Sequence, residues 1–371
     1  MASITRDDPR AKRILQIGNW PPPVCSWTMS LVLLRRELEA RGWDCRVMNL
    51  NENRRRPSPD YIDVQNGWDY LAKVWRHVRH GCAVHIRVNG DTKKGYVLAL
   101  IALLAARLRG RPALLTYGGG HQQTYFPAPP LSPRHLAFRI LFRLPHRIYC
   151  NSEAVKAAIL GTGVADSRVV ALPHFSPQYV EFEPVPLPTD VADFLGRHDS
   201  VFFSYVCFRK EFELEFLAGV IRRFREAHPR VGFVLVGAWD RELPSLNALL
   251  EREGLTGDVL VLGSLSHDYF LTLLSRSIGY LRTPITDGVC SSVLESLTLR
   301  VPVIAVDNGT RPPGTLLYAQ GDTKGMLRLM ERVQREHGAV VAALPDVVPE
   351  DNARKLADSV EEVCLQGGGS L

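Results

Sequence analysis

The sequence has 371 residues, 46% of them hydrophobic and 23% charged, a composition typical of globular proteins and too apolar for a disordered chain. This length predicts two domains, each large enough to bury its own core. The formal net charge of +6 is unevenly distributed, because residues 1–180 contain 26 Lys and Arg against 12 Asp and Glu, and the remainder contains 19 against 27. We expect the two halves to meet different partners.

Cysteine usage and hydropathy exclude two further classes of protein. The seven cysteines are scattered and never form a CxxC pair, which argues against a disulfide framework or a zinc site and fits a reducing compartment. The first residues lack the apolar segment of a signal peptide. The longest apolar run, 97–106, is about half of the ~20 residues that span a bilayer. We therefore expect a cytoplasmic protein that does not cross a membrane.

Short apolar runs alternate with amphipathic stretches along the whole chain, a pattern typical of parallel sheets covered by helices on both faces. A helix is predicted over 30–41, with Leu31, Leu34 and Leu38 at helical spacing and Gly42 at its end. Apolar runs predict strands at 14–18, 45–50, 83–88, 113–117, 147–151 and 169–173 in the first half, and at 201–206, 233–237, 259–263, 278–281 and 303–306 in the second.

The pattern changes at residues 181–188, a proline-rich segment that fits neither periodicity. We predict an N-terminal domain over 1–180, a linker over 181–199, a C-terminal domain over 200–350, and a C-terminal helix and tail over 351–371 that packs back on the N-terminal domain. The predicted fold class is α/β, with two Rossmann-like domains whose parallel sheets face each other across a cleft.

Several signatures of other enzyme classes are absent from the sequence. No GxGxxG follows the first predicted strand, where Gly18 and Asn19 precede three prolines, so a nicotinamide dehydrogenase is not expected. The sequence also lacks a Walker A segment, GxSxG and HExxH. Because no Asp-x-Asp pair is present either, we predict that no metal and no other cofactor is required.

The segment 281–306 is the most informative part of the sequence. A predicted strand ends, Asp287 and Gly288 form a turn, and a helix begins near Ser291. The first amides of a helix lack partners within the helix and attract phosphate. Glu295 lies one turn further on the same face and is placed to accept hydrogen bonds from ribose hydroxyls. An alternative remains open, in which Ser291 only caps the helix and Glu295 is a structural acid.

This segment resembles the E-x7-E signature of retaining GT-B glycosyltransferases, in particular glycosyltransferase family 4. Asp287 stands at the position of the first Glu, Gly288 matches the glycine, and Glu295 matches the second Glu. The strands at 233–237 and 259–263 are similar to strands of the family in order and spacing. The resemblance implies a GT-B fold in which Asp287 orients a donor sugar, Glu295 holds ribose, and the donor is also bound at Gly288 and at the amides of Ser291 and Ser292.

The resemblance also assigns a role to the segment 206–216. In the resembled family this loop carries an Arg and a Lys that hold the donor diphosphate, and Arg209 and Lys210 occupy that place. Fixed cations stabilise the negative charge that grows as a nucleoside diphosphate departs. The alternative is an exposed Arg-Lys pair at a helix start.

Two N-terminal segments complete the candidate site. The family often places a His after the strand that ends at 117, and His121 would be that residue, facing the donor sugar. Three glycines, including Gly119, precede it and permit close backbone approach to a ligand. Gly18 and Asn19 after the first strand would face the diphosphate and the acceptor. The alternative is a loop with a solvated His.

Residues 101–150 contain seven Arg and no Asp or Glu. Within them, 132–144 reads as a basic amphipathic helix in which arginines alternate with Phe138, Leu141 and Phe142. Such a helix suits an anionic membrane surface, so we expect peripheral attachment at the cytoplasmic membrane face. The alternative is a core helix whose arginines face water. Nucleic acid is not expected, because the basic half contains no recognised binding motif.

The predicted function is transfer of a sugar from a nucleoside diphosphate donor to a glycan or lipid-linked acceptor, independent of metal. The resemblance implies retention of the anomeric configuration. The sequence departs from the family at Asp287, where a Glu is usual, and at Cys290 and Val301, where glycines are usual. Two alternatives stay open: a catalytically silent binding subunit, and a sugar-nucleotide epimerase or hydrolase on the same fold.

Overall fold

The computed structural model describes residues 12–21, 26–90, 92–119, 125–238, 241–286, 290–346 and 350–366. The chain divides into two compact units. Unit 1 contains the residues up to 176 together with those from 351 onward, and unit 2 contains residues 177–350.

Unit 1 is built on a parallel sheet of six strands in the order β2-β1-β3-β4-β5-β6. Its helices lie between successive strands, and every strand predicted from an apolar run is present within a residue or two. The strands are β1 (Arg13–Gly18), β2 (Asp44–Asn49), β3 (Ala83–Val88), β4 (Ala113–Tyr117), β5 (Arg147–Cys150) and β6 (Val169–Ala171). The helices are α1 (Ser26–Ala40), α2 (Gly67–Arg79), α3 (Lys93–Leu108), α4 (Pro133–Arg143) and α5 (Glu153–Leu160).

The helices of unit 1 begin at polar caps and cover both faces of the sheet. Asn66, Thr92, Ser132 and Ser152 each accept a hydrogen bond from a first-turn amide of the helix that follows. Right-handed crossovers place α2, α3, α4 and α5 on one face, where their apolar sides form one core cluster with the sheet. The other face is covered by α1 and by the last helix, α13 (Asn352–Gln366).

The C-terminal helix is tied to unit 1 by both apolar and polar contacts. Leu356, Ala357 and Val360 of α13 are buried against the sheet and α1. Arg41 contacts Asp358 at 2.6 Å, and the Trp43 indole nitrogen donates to Glu361 at 3.2 Å. The end of the chain therefore completes the core of the unit in which the chain begins.

Unit 2 contains a second parallel six-stranded sheet, in the order β12-β11-β10-β7-β8-β9. The two sheets and their helices confirm the predicted α/β class with two Rossmann-like domains. The strands are β7 (Ser200–Tyr205), β8 (Val231–Val236), β9 (Val259–Leu262), β10 (Gly279–Arg282), β11 (Val303–Val306) and β12 (Leu316–Tyr318). The helices are α6 (Thr189–Arg197), α7 (Leu214–Ala227), α8 (Leu243–Arg252), α9 (His267–Ser275), α10 (Ser291–Thr298), α11 (Thr323–Arg335) and α12 (His337–Ala342).

The segment predicted as a linker, 181–199, belongs to unit 2 in the structure. Residues 189–197 form α6, and its Val191 and Phe194 are buried in the core of unit 2. Phe182 packs against the same core, and the Val185 amide donates to the Thr272 hydroxyl at 3.1 Å. The prolines end regular structure before α6 but do not prevent apolar side chains from packing. The division between the units falls at 176 rather than at 180.

Two chemical features bear on the environment of the protein. No helix in the described part of the chain combines the length and hydropathy that a bilayer-spanning helix requires. The six cysteines that the structure describes are all free thiols.

Candidate functional site

Each sheet reverses its strand order at one point, and both reversals bring candidate residues to the carboxyl edge of the strands. In unit 2, β7 lies between β8 and β10, so the segments that follow β7 and β10 leave the same edge and diverge. In unit 1 the corresponding point lies between β1 and β3. Open α/β sheets bind ligands at such points. The sequence candidates Arg209, Lys210 and Ser291 therefore belong to the two segments that border the reversal in unit 2.

The two predicted cations follow β7 in a tightly held loop. Arg209 precedes a short 3-10 turn, Lys210–Phe212, and both cationic side chains are exposed. Phe212 is buried, and its carbonyl accepts a hydrogen bond of 2.6 Å from the Thr283 hydroxyl after β10. The loop is thus held against the core of unit 2 by the Phe212 ring and by this hydrogen bond. Neither cation pairs with a carboxylate of any described residue.

A third cation at this point, Arg282, was missed by the sequence analysis. It ends β10 and is only 5% exposed. Its guanidinium lies 5.0 Å from the Phe212 ring centre, and Nη1 donates to the Tyr205 carbonyl at 3.3 Å. Burial raises the pKa of Cys207, and the positive charges of Arg209 and Arg282 oppose that rise. A charged residue at the end of an otherwise apolar strand was the available sequence signal.

The start of α10 presents backbone rather than side-chain donors. Cys290 is the N-cap, and no described side chain caps the helix. Ser291 is buried. The Ser292 hydroxyl contacts the Tyr280 hydroxyl at 2.7 Å and the Cys290 sulfur at 3.1 Å. Ser292 can contribute its amide to anion binding, with the positive end of the helix dipole behind it.

Glu295 lies one turn beyond the start of α10 and is 5% exposed. The Nε2 atom of His267, the first residue of α9, lies 3.1 Å from Glu295 Oε1. The His267 ring is parallel to that of Phe270 and meets Tyr179 edge-on. The neighbouring rings fix the imidazole, and the imidazole in turn fixes the carboxylate. His267 could not be predicted from the sequence, because nothing in the sequence connects two residues that are 28 positions apart.

We expect His267→Ala to lower the free energy of unfolding by about 1–3 kcal/mol, because it leaves a buried carboxylate without its partner. His267→Gln, whose amide group can still donate, should recover part of the loss. Urea denaturation of the intact chain measures both values. His337→Ala, at an exposed histidine that also begins a helix of unit 2, is the control. An effect of His267→Ala no larger than that of the control would contradict the pairing.

In unit 1 the predicted residues Gly18 and Asn19 lie at the carboxyl end of β1. A Cβ atom on Gly18 would lie 2.8 Å from Leu31 Cδ1, so a larger residue there would displace the Leu31 side chain. The following turn is held by Asn49, whose side-chain oxygen accepts from the Trp20 amide at 3.0 Å, and by Asn51, whose amide group donates to the Trp20 carbonyl at 3.0 Å. These hydrogen bonds fix the backbone that follows Asn19, which is half-buried.

The reversal between β1 and β3 also carries an aromatic and basic cluster, in which Arg87 is buried and Trp27 and His174 are half-buried. The Arg87 guanidinium lies 4.4 Å from the Trp27 ring centre and donates to the Ser30 hydroxyl. Burial, reinforced by the charge of Arg87, lowers the pKa of His174 to about 3, and this ring meets Trp27 edge-on at 5.7 Å.

The glycines after β4 lie close to the same cluster. A Cβ atom on Gly118 would lie 1.8 Å from the Trp27 ring, so the indole fills the space that this glycine leaves open. The predicted Gly119 is buried next to it. The first of the three glycines thus makes room for the Trp27 ring, whereas all three were expected to permit close approach of a ligand.

Three of the predicted site residues, Asp287, Gly288 and His121, lie outside the described residues. Among the residues that the structure does describe, no cluster of three or more His, Cys, Asp or Glu side chains has the arrangement of a metal site.

Comparison with known proteins supports part of the sequence-based resemblance. Residues 196–313 match the family model described as glycosyl transferases group 1. The match covers β7 through β11 and includes Arg209, Lys210 and Glu295. No curated protein matches the chain.

Solved structures with the same two-domain fold align along nearly the whole chain. Anabaena Alr3699/HepE in complex with UDP-glucose is 15% identical with a TM-score of 0.62, covering 96% of this chain and 98% of the other. A Listeria monocytogenes protein named as a putative UDP-N-acetylglucosamine 2-epimerase is 13% identical with a TM-score of 0.65. The alignment covers 96% of this chain and 97% of the other. The lipopolysaccharide outer core galactosyltransferase WaaB in its apo form is 13% identical with a TM-score of 0.58, covering 94% and 99%. These similarities establish the GT-B fold.

Proposed function

We propose that this protein is a glycosyltransferase that moves a sugar from a nucleoside diphosphate donor to a glycan or lipid-linked acceptor. The observation that carries the proposal is the meeting of three features at one sheet edge of unit 2. Arg209 and Lys210 follow β7, the start of α10 follows the adjacent β10, and Glu295 lies one turn inside α10. Because two neighbours with this fold were solved with UDP or UDP-glucose, a UDP-sugar is the first donor to test.

In this proposal each group acts on a different part of the donor. Arg209 and Lys210, with the first amides of α10, hold the diphosphate, and Arg282 adds positive charge behind the loop. Their interaction with the donor strengthens as negative charge grows on the departing diphosphate, so they favour the transition state over the ground state. Glu295 holds the ribose hydroxyls, while Asp287 and His121 orient the sugar.

We propose that transfer proceeds with retention of the anomeric configuration and without a metal. The acceptor hydroxyl then attacks from the side of the leaving group, and the departing phosphate oxygen takes its proton. The bond between the anomeric carbon and that oxygen breaks as the new glycosidic bond forms. Such a reaction needs no protein base, which leaves Arg209 and Lys210 to stabilise the leaving group.

A sugar-nucleotide epimerase is the second candidate, since the Listeria structure named as an epimerase shares the fold at a TM-score of 0.65. A hydrolase or a silent binding subunit are further alternatives. Acceptor dependence and product identity together distinguish all four. A transferase releases nucleotide in proportion to acceptor, and a hydrolase releases nucleotide and free sugar without acceptor. An epimerase converts the donor to its epimer without acceptor, and a silent subunit binds the donor unchanged.

The test is incubation of the full chain with single UDP-, GDP- and ADP-sugars, with and without a glycan acceptor mixture and with and without EDTA. We expect one donor to release nucleotide only when acceptor is present, at a rate that EDTA leaves unchanged. Anomeric proton couplings in the product report retention. Loss of turnover in EDTA would contradict metal independence, and epimer formation without acceptor would replace the proposal with the second candidate.

A further inference from the structure

Three neighbouring helices of unit 1 form one continuous outer surface. Helices α2, α3 and α4 cover the same face of the sheet and share its core cluster. The Arg109 guanidinium after α3 lies 6.0 Å from the Trp75 ring centre on α2, and Tyr96 of α3 meets Phe138 of α4 edge-on at 4.9 Å. The outward sides of these helices, together with the preceding Leu131, are called the basic-apolar face below.

Apolar side chains are concentrated on this face. Of the eleven exposed large apolar residues in the described part of the chain, nine lie here, and Leu131 and Trp68 are 98% and 82% exposed. Their spacing along each helix places them in one stripe per helix. The nine residues are Trp68, Leu71, Trp75, Val97, Leu104, Leu108, Leu131, Leu136 and Ile140.

The structure corrects the amphipathic pattern predicted for residues 132–144. Phe138, Leu141 and Phe142 are buried in the core and cannot reach an outside partner. The exposed apolar side chains of this segment are instead Leu136 and Ile140, on the opposite side of α4. The available apolar surface therefore extends across three helices rather than along one.

The same face carries a large excess of positive charge. No Asp or Glu occurs between residues 92 and 152, and Asp69 of α2 is paired with Lys73 at 2.9 Å. On the opposite face of the sheet, Arg41 is paired with acids of α13. None of the following cations forms an ion pair with a carboxylate among the described residues: Arg76, Arg79, Lys93, Lys94, Arg107, Arg109, Arg134, Arg139 and Arg143.

We propose that the basic-apolar face docks this protein on an anionic lipid membrane. Anionic headgroups attract each nearby cation by about 1 kcal/mol, and exposed Trp and Leu side chains gain free energy by entering the interface between headgroups and acyl chains. A second copy of the chain is a poor occupant, because a twofold interface would place two positively charged faces against each other. The inference concerns docking alone and stands apart from the donor site of unit 2.

Flotation of the full chain with vesicles tests the proposal. We expect at least about ten-fold stronger binding to phosphatidylcholine vesicles that contain phosphatidylglycerol than to phosphatidylcholine alone, and a marked loss of binding at high salt, where charge is screened. Equal binding to both vesicles, or no binding to either, would overturn the proposal. Donor affinity measured on the same sample reports on the site of unit 2 independently.

Two double variants separate the contributions of charge and apolar contact. Arg76→Glu with Arg143→Glu, and Trp68→Ser with Leu136→Ser, change exposed side chains only, and each should lower vesicle binding about ten-fold or more. Arg223→Glu with Arg328→Glu, and Leu317→Ser, make matched changes at exposed positions of unit 2 and should leave binding unchanged. Concentration-dependent dimerisation that Leu136→Ser abolishes, without vesicle binding, would assign the face to a second copy instead.

Discussion

Replacing Arg209 and Lys210 together with alanine should weaken nucleoside diphosphate binding by at least about ten-fold, since each charge-assisted hydrogen bond contributes about 1.5–3 kcal/mol and about 1.4 kcal/mol corresponds to ten-fold in affinity. Both side chains are exposed and form no ion pair with a described carboxylate. Their removal should therefore leave the melting temperature unchanged. Isothermal calorimetry with the nucleoside diphosphate of the preferred donor measures the effect.

Two controls separate a diphosphate contact from a general effect of charge. Affinity for the corresponding nucleoside, which lacks phosphate, should be equal in the wild type and the double variant. Arg223→Ala with Arg328→Ala removes two exposed arginines from α7 and α11 of the same unit and should leave diphosphate affinity unchanged. Unchanged affinity in the Arg209 and Lys210 variant would refute their assignment to the diphosphate.

The fold could be predicted from the sequence because parallel strands are buried on both faces. β8 and β11 are fully buried and accordingly read as short apolar runs between helices. β12 was not predicted, because three residues at a sheet edge are too few to show the hydrophobic pattern of a strand. α6 was not predicted, because the prolines before it suggested a linker. The spacing of Val191 and Phe194, three residues apart, does place both on one face of a helix.

The candidate residues proposed from the sequence are those that lie close together along the chain. Arg209 and Lys210 are adjacent and were assigned through the family resemblance, and Glu295 follows the start of its helix by one turn. His267 and Arg282 contact partners that only strand order and helix packing bring close.

The cluster in unit 1 could not be predicted from the sequence for the same reason. Trp27, Arg87 and His174 come from three distant segments, and their proximity follows from the position of β3 next to β1. Gly118 shows the converse case. Its sequence context suggested an open approach for a ligand, whereas the Trp27 ring occupies that space.

Glu295→Gln should lower donor affinity by about ten-fold to a hundred-fold, because a neutral amide accepts weaker hydrogen bonds from ribose than a carboxylate does. Gln is preferred to Ala as the test, since it keeps the side-chain volume beside His267 and should largely preserve the melting temperature. Glu295→Ala should abolish transfer, but it also leaves the His267 ring without its 3.1 Å contact, which costs about 1–3 kcal/mol of stability.

A nucleotide that lacks the ribose hydroxyls tests whether Glu295 contacts those hydroxyls. The wild type should bind the 2′,3′-dideoxy nucleotide more weakly than the ribonucleotide. Glu295→Gln should discriminate between the two less than the wild type does, because the two changes weaken the same hydrogen bonds and their effects are not additive. Glu331→Gln alters a second His–Glu contact of unit 2, with His228, and should retain the full discrimination. If Glu295→Gln discriminates between the two nucleotides as strongly as Glu331→Gln does, Glu295 supports the helix and not the ribose.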